Sequence, residues 1–211
     1  MSDGLTSNVL LVIGFAGSGV DASVVRLAGV AGAVAGAVSM AAGEWISISA
    51  QNELVVRELD VERRELGHNT ESETRELAAM YREHGMQAAT AQQAADEVMR
   101  DHERALGVHA REELGIDPHD LPSAWQAAVL SFLCFVAGAV LPVIPWLAGG
   151  GTSATVSSVV IGVFAAAALG FTIGQFAERN RLWSATRQVL IMLVACVIAY
   201  SIGRALGVSV S

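Results

Sequence analysis

The sequence predicts an all-α, polytopic membrane protein with five transmembrane helices and an inserted, acidic helical domain. Three observations predict it. Hydrophobic residues make up 53% and charged residues 16% of the 211 positions, whereas soluble domains carry about 25% charged residues. The charge is also segregated. Of 21 acidic residues, only Asp3, Asp21, Glu44 and Glu178 lie outside 51–121, and all five histidines lie inside that stretch. It sets 17 acids against eight arginines and carries −9, while the remainder of the chain carries +1. Such a surface repels nucleic acid and attracts cations. Finally, five apolar runs approach the roughly 20 residues that a helix needs to cross a bilayer.

Taken in order, those runs are Gly4 to Val20, which is short, then Val24 to Ala50, interrupted by Glu44, and Ala124 to Leu147, containing Pro142 and Pro145. Val156 to Phe176 and Leu182 to Leu206 complete the set. Runs of this length and uniformity are helical in lipid, where backbone polar groups must be satisfied internally. The chain therefore divides into spans 1 and 2 (1–50), an acidic helical domain (51–121) and spans 3 to 5 (122–211). In the second span Gly32 and Gly36 have the spacing that lets helices approach closely, and their partner is either within the chain or in a second copy. Asp3 stands where a signal peptide would carry basic residues, so the first run is read as part of the mature protein. Cys134 and Cys196 sit in apolar runs without metal or disulfide spacing and read as small buried hydrophobes. With five spans, the N-terminus, the acidic domain and the loop bearing Arg179, Arg181 and Arg187 share one side. Arginine enrichment makes that side cytoplasmic, since the rule counts basic residues and largely ignores acids.

The acidic domain reads as helical throughout. The second span continues through Gln51 to Leu66 and ends at Gly67. Thr70 and Glu73 have capping-box spacing and open a helix to His84, stopped by Gly85. Thr90 and Gln93 open another, running to Leu106 before Gly107. A short piece from Val108 to Leu114 follows, and Pro118 and Pro122 mark re-entry into the bilayer.

Several residues carry chemistry. Glu58, Glu62 and Glu65 share one helical face, and Glu73 with Glu76 repeats the arrangement on the next helix. Like charges at this spacing destabilise a helix unless something neutralises them. Facing helices that present carboxylates and histidine hold divalent iron or manganese in bundle proteins. The alternative is a solvated acidic face paired with Arg57, Arg63 and Arg64. His109 and Glu113, one turn apart, either share a metal or form a surface hydrogen bond. Glu65-Leu66-Gly67-His68 fits the E-x-x-H string of di-iron bundles but has no second copy. Within the spans, Asp3, Met40 and Glu44 stand out. A carboxylate there is costly and is a functional candidate. Met40 and Glu44 lie one turn apart, and a thioether beside a carboxylate suits a borderline ion such as Fe²⁺ better than Mg²⁺ or Ca²⁺.

The order of parts is Ser2-Asp3-Gly4, then Ser39-Met40-Ala41-Ala42-Gly43-Glu44-Trp45, then Glu-rich helices, then Glu112-Glu113-Leu114-Gly115-Ile116. This layout resembles the vacuolar iron transporter family over essentially the whole chain. The resemblance implies a five-span homodimer exchanging Fe²⁺ or Mn²⁺ for protons, with the ion path between protomers and metal loaded from the cytosol by the helical domain. Asp3 and Met40 would line the path, and Glu44 would stand near its cytosolic mouth. Glu62, Glu65, Glu73, Glu76 and Glu113 would be the carboxylates of the cytosolic metal site. His109 and Ala110 stand where relatives often carry methionine, which bears on the preference between iron and manganese. The first span also begins almost at Met1, where relatives have more residues ahead of the aspartate.

The expected function is thus a secondary transporter and not an enzyme, with no cofactor beyond a transiently bound ion. Its partners are divalent metal, protons, membrane lipid and a second copy. Two rival readings are a membrane-anchored metal buffer and a ferritin-like di-iron protein.

Overall fold

The computed structural model describes residues 1–113, 115–118 and 120–207. Among them every regular element is helical: α1 (Ser2–Gly17), α2 (Ala22–His68), α3 (Thr70–Glu83), α4 (Ala88–Val98), α5 (His102–Glu113), α6 (Ala124–Val140), a 3-10 turn (Leu141–Val143), α7 (Ile144–Ala148), α8 (Gly151–Phe176) and α9 (Arg181–Gly207). These form two compact units, Met1–Trp45 with Trp125–Ser211 and Ile46–Ala124.

Among the described residues, four helical stretches are long and apolar enough to cross a membrane: Ala22–His68, Ala124–Ala148, Gly151–Phe176 and Arg181–Gly207. The chain is an integral membrane protein. Helix α1 has 16 residues, a rise of about 24 Å, and is shorter than the other four. It packs on α8, α9 and the 3-10 turn. Its Leu5, Val9 and Ile13 join Ala166 of α8 with Met192 and Cys196 of α9 in the largest apolar cluster of the first unit. Cys196 is buried as expected, but Cys134 is only half-buried. Outward-facing side chains such as Leu27, Val34, Phe164 and Val197 are apolar and exposed, the pattern that lipid requires of a span.

Neither proline in Ala124–Leu147 has an N–H to return to the preceding turn, and the run divides at Val140 into α6, the 3-10 turn and α7. Polar side chains repair the break. The Ser158 hydroxyl donates to the Pro142 carbonyl at 2.7 Å, and the Trp146 indole donates to Ser158 Oγ at 3.1 Å. Asn8, only 2% exposed, donates through Nδ2 to the Gly29 carbonyl of α2 at 3.0 Å and the Ala139 carbonyl of α6 at 2.5 Å. A hydrogen bond between helices in a membrane contributes about 0.6 kcal/mol on average, and an orphaned buried acceptor costs about 1–3 kcal/mol.

Close helix approach is set by glycine at the crossing of α1 and α6, where a Cβ on Gly138 would lie 2.8 Å from the Leu5 nitrogen. Gly32 and Gly36 find their partners inside the chain. A Cβ on Gly32 would strike Leu11, and one on Gly36 would enter the Phe135 ring. Trp45 and Trp125 meet with ring centroids 6.2 Å apart.

The second unit corrects several local expectations. Gly67 does not end α2, which runs on to His68. The capping box at Thr70 does not form, because Asn69 is the N-cap and the Thr70 hydroxyl donates instead to the Leu66 carbonyl at 2.8 Å. The next helix starts at Ala88 and ends at Val98, not near Leu106. The chain breaks there because Asp101 Oδ1 accepts from the Glu103 and Arg104 amides at 3.1 and 3.2 Å, capping a new helix. Gly107 then lies inside α5 instead of ending a helix. Leu114, the expected end of the last short piece, lies outside the described residues. Two apolar clusters hold this unit: Leu59, Leu66, Met99, Ala105, Leu106 and Ala110, and Leu77, Ala78 and Ala95.

Candidate metal centre

Three helices of the second unit each place an ionisable side chain on an otherwise apolar stripe. On α2, Glu62 lies between Leu59 and Leu66, both buried, so the face that packs carries the carboxylate inward with it. On α3, Glu73 lies one turn before the fully buried Leu77. On α5, Leu106 and Ala110 flank His109 and anchor it in the core, while Glu113 follows one turn on.

The result is a cluster of Glu62, Glu73, His109 and Glu113 whose ligand atoms all lie within 4.8 Å of one another. His109 is fully buried, and Glu62 and Glu73 are 8% and 6% exposed. His109 Nδ1 is 2.9 Å from Glu113 Oε1, 3.1 Å from Glu62 Oε1 and 4.0 Å from Glu73 Oε2. His109 Nδ1 is within hydrogen-bond distance of Glu113 Oε1. Its Nε2 is buried and finds no hydrogen-bond partner among the described residues. A cavity of about 150 Å³ opens on the cluster, lined by Glu58, Val61, Glu62, Glu65, His109, Ala110 and Glu113.

Three carboxylates around one imidazole hold an excess of negative charge that a divalent cation would neutralise. Oxygen donors with one borderline nitrogen suit first-row divalent ions. The crowding of charge acts on the carboxyls themselves. Burial, then the charge of Glu113, raises the Glu62 carboxyl from 4.5 to about 7, against a lowering by His109. Burial, then Glu76, raises Glu73, again opposed by His109.

A pH dependence follows. Because Glu62 is a carboxyl with a raised folded pKa, the native state holds a proton that the unfolded chain has released between pH 4.5 and 7. The contribution of this group to stability is therefore greatest below pH 4.5 and is lost as pH rises toward 7, by roughly 3 kcal/mol. Thermal unfolding of the full chain in detergent at pH 5 and pH 8 measures it. Glu62→Gln should flatten the profile, and an unchanged slope would remove Glu62 as its source.

The other expected site residues are distributed differently. Glu65 is exposed but lines the cavity. Glu76 is exposed on α3 and acts on Glu73 through its charge. Asp3, Met40 and Glu44 belong to the first unit. Asp3 is exposed in the first turn of α1, while Met40 and Glu44 are half-buried on α2. Gly4, next to Asp3, meets the backbone of Phe135, and Met40 packs on the cluster that contains this phenylalanine. Glu58 also lines the cavity, one turn before Glu62, and its i, i+4 spacing was the signal for it. His68 of the E-x-x-H string is exposed, bonded through Nδ1 to the Arg64 carbonyl at 2.7 Å, and takes no part in the cluster.

Membrane-crossing helices joined to a compact helical unit with a buried carboxylate–histidine cluster define an integral membrane protein built to handle cations. The chain belongs to the VIT family, whose model matches residues 1–204. It is 28% identical to a vacuolar iron transporter of Centaurea cyanus over 99% of this chain and 86% of that protein. It is 29% identical to vacuolar iron transporter 1 of Arabidopsis thaliana over 97% and 82%. A vacuolar iron transporter of Acanthamoeba castellanii is 37% identical over 57% of this chain and 45% of its own length.

Proposed function

We propose that the chain is a secondary transporter that removes Fe²⁺, Mn²⁺ or both from the cytosol in exchange for protons. The observation that carries this reading is the convergence of Glu62, Glu73 and Glu113 on buried His109, in a family whose relatives include vacuolar iron transporters. An apolar core gains nothing from two buried carboxylates with a third, Glu113, at its exposed edge, and a bound cation removes their repulsion. In this reading α1 is a short fifth span, the N-terminus and residues 51–121 are cytosolic, and the chain works as a homodimer. The acidic helices collect the ion, which then passes Met40 and Asp3, with Glu44 near the entrance and Glu65 and Glu76 raising the local negative field. Protons and metal compete for the same oxygens, so an acidic far side favours release.

A second reading, a membrane-anchored metal buffer, is favoured by one fact: all four clustered residues lie within a single compact unit. Proteoliposomes separate the two. Under an imposed pH gradient, ⁵⁵Fe²⁺ or Mn²⁺ is expected to accumulate with alkalinisation of the acidic lumen. Saturable binding without lumenal metal would establish the buffer and end the transport reading.

A further inference from the structure

Asn8 is a buried polar side chain that the proposed metal path does not use. It lies in α1, five residues after Asp3, and its Nδ2 reaches two other helices: α2 at the Gly29 carbonyl, 3.0 Å away, and α6 at the Ala139 carbonyl, 2.5 Å away. Its Oδ1 is buried and has no hydrogen-bond partner among the described residues. The arrangement is specific. Ala139 lies three residues before Pro142, which has no N–H to offer in the 3-10 turn at Leu141–Val143, and the Asn8 amide supplies a donor to this carbonyl. On the α2 side, a Cβ at Gly32 would lie 3.0 Å from Asn8 Oδ1 and would collide with Leu11. Glycine at position 32 leaves room for the Leu11 side chain and the Asn8 amide on this face of α2.

A leucine at position 8 would fill a similar volume without leaving an oxygen unpaired. The hydrogen bonds gained in the membrane are small and the orphaned oxygen opposes them, so net stability does not explain the asparagine. What the amide does supply is position. Two directional bonds to two helices fix both the depth and the rotation of α1, as a single buried asparagine fixes register in a helical bundle. We propose that Asn8 is a positioning residue for ion passage, a three-helix clamp that holds α1, and with it Asp3, in register with the α2 that carries Met40. This rests on the transport reading above, and Asn8 itself does not touch the ion.

The test uses the full chain and two independent readouts. Asn8→Leu keeps the volume and removes both bonds. At equal folded fraction in proteoliposomes, it is expected to lower the maximal rate of Mn²⁺ uptake at least tenfold, leaving KM and Mn²⁺ binding at the cytosolic cluster within twofold of the unsubstituted chain. The second readout does not need transport. In a chain with Cys134→Ala and Cys196→Ala, the rate of disulfide formation between cysteines replacing Leu11 and Gly32 reports the register of α1 on α2, and Asn8→Leu is expected to slow it at least fivefold. If the parent moves no metal, the transport reading fails while cross-linking still scores the clamp. Unchanged cross-linking overturns the clamp. Slowed cross-linking with unchanged uptake overturns its role in passage. Should Asn8→Leu not reach the membrane, Asn8→Ala is scored on the same two measurements.

Discussion

Uptake of ⁵⁵Fe²⁺ or Mn²⁺ into inverted vesicles is expected to fall by on the order of 100-fold or more when Asp3 is replaced by Asn or Met40 by Ala. An ion entering the membrane sheds water, and whatever replaces that water sets the barrier. A carboxylate offers full negative charge where the dielectric is low, and its amide isostere keeps the shape while losing the charge. The thioether contributes a soft donor that Ala lacks. Asp3 is exposed in the first turn of α1 and Met40 packs on the cluster that contains Phe135, so each variant removes one donor without disturbing the large apolar cluster formed by α1, α8 and α9. Rates fall exponentially with lost stabilisation, about tenfold for each 1.4 kcal/mol, which is why one donor is expected to have so large an effect. Normal uptake by both variants would remove the proposed path.

The second large effect is expected at the cytosolic cluster. Glu62→Gln combined with His109→Ala should weaken Mn²⁺ binding, measured by calorimetry on the full chain in detergent, by about 100-fold, since even outer-sphere partners of metal sites are worth 10–100-fold. The same change separates binding from folding. Glu62→Gln removes a carboxylate that burial, and then the charge of Glu113, already push toward protonation, so this single variant should unfold at higher temperature than the parent at pH 8 while binding metal more weakly. A site whose residues merely hold the fold would lose both together. Glu65→Gln should have the smaller effect because Glu65 is exposed and reaches the cluster mainly through its charge. Undiminished Mn²⁺ binding in the double variant would refute the assignment.

The departure at positions 109 and 110 also takes physical form. His109 is fully buried against three carboxylates, whereas Ala110 is a small residue packed with Leu59, Leu66 and Leu106. The cluster therefore has an imidazole and no thioether among its four donors. Under the proposed transport reading, such a donor set is expected to favour Mn²⁺ more than a methionine-bearing one would, and competition between the two metals in the uptake assay reads the difference.

Composition and period by themselves determined that this is a helical membrane protein with an acidic helical insert, because lipid and water select side chains locally and leave that choice written along the chain. Spacing singled out Glu62, Glu73, His109 and Glu113 as candidates but left a solvated acidic face and a surface hydrogen bond as alternatives, and the family resemblance was what joined the carboxylates into one metal site. Other features depended on distant parts of the chain. Gly107 reads as a helix end until Asp101 caps α5 upstream of it, and Gly32 and Gly36 can serve a second copy equally well until Leu11 and Phe135 occupy their faces. Which carboxylates reach the imidazole was decided only by packing: Glu62 and Glu73 turn inward and Glu113 meets His109 from the exposed side, while Glu65 and Glu76 stay outside the cluster. The physical reason is that periodicity fixes which side chains share a face, whereas desolvation and charge coupling arise only when α2, α3 and α5 close on one another.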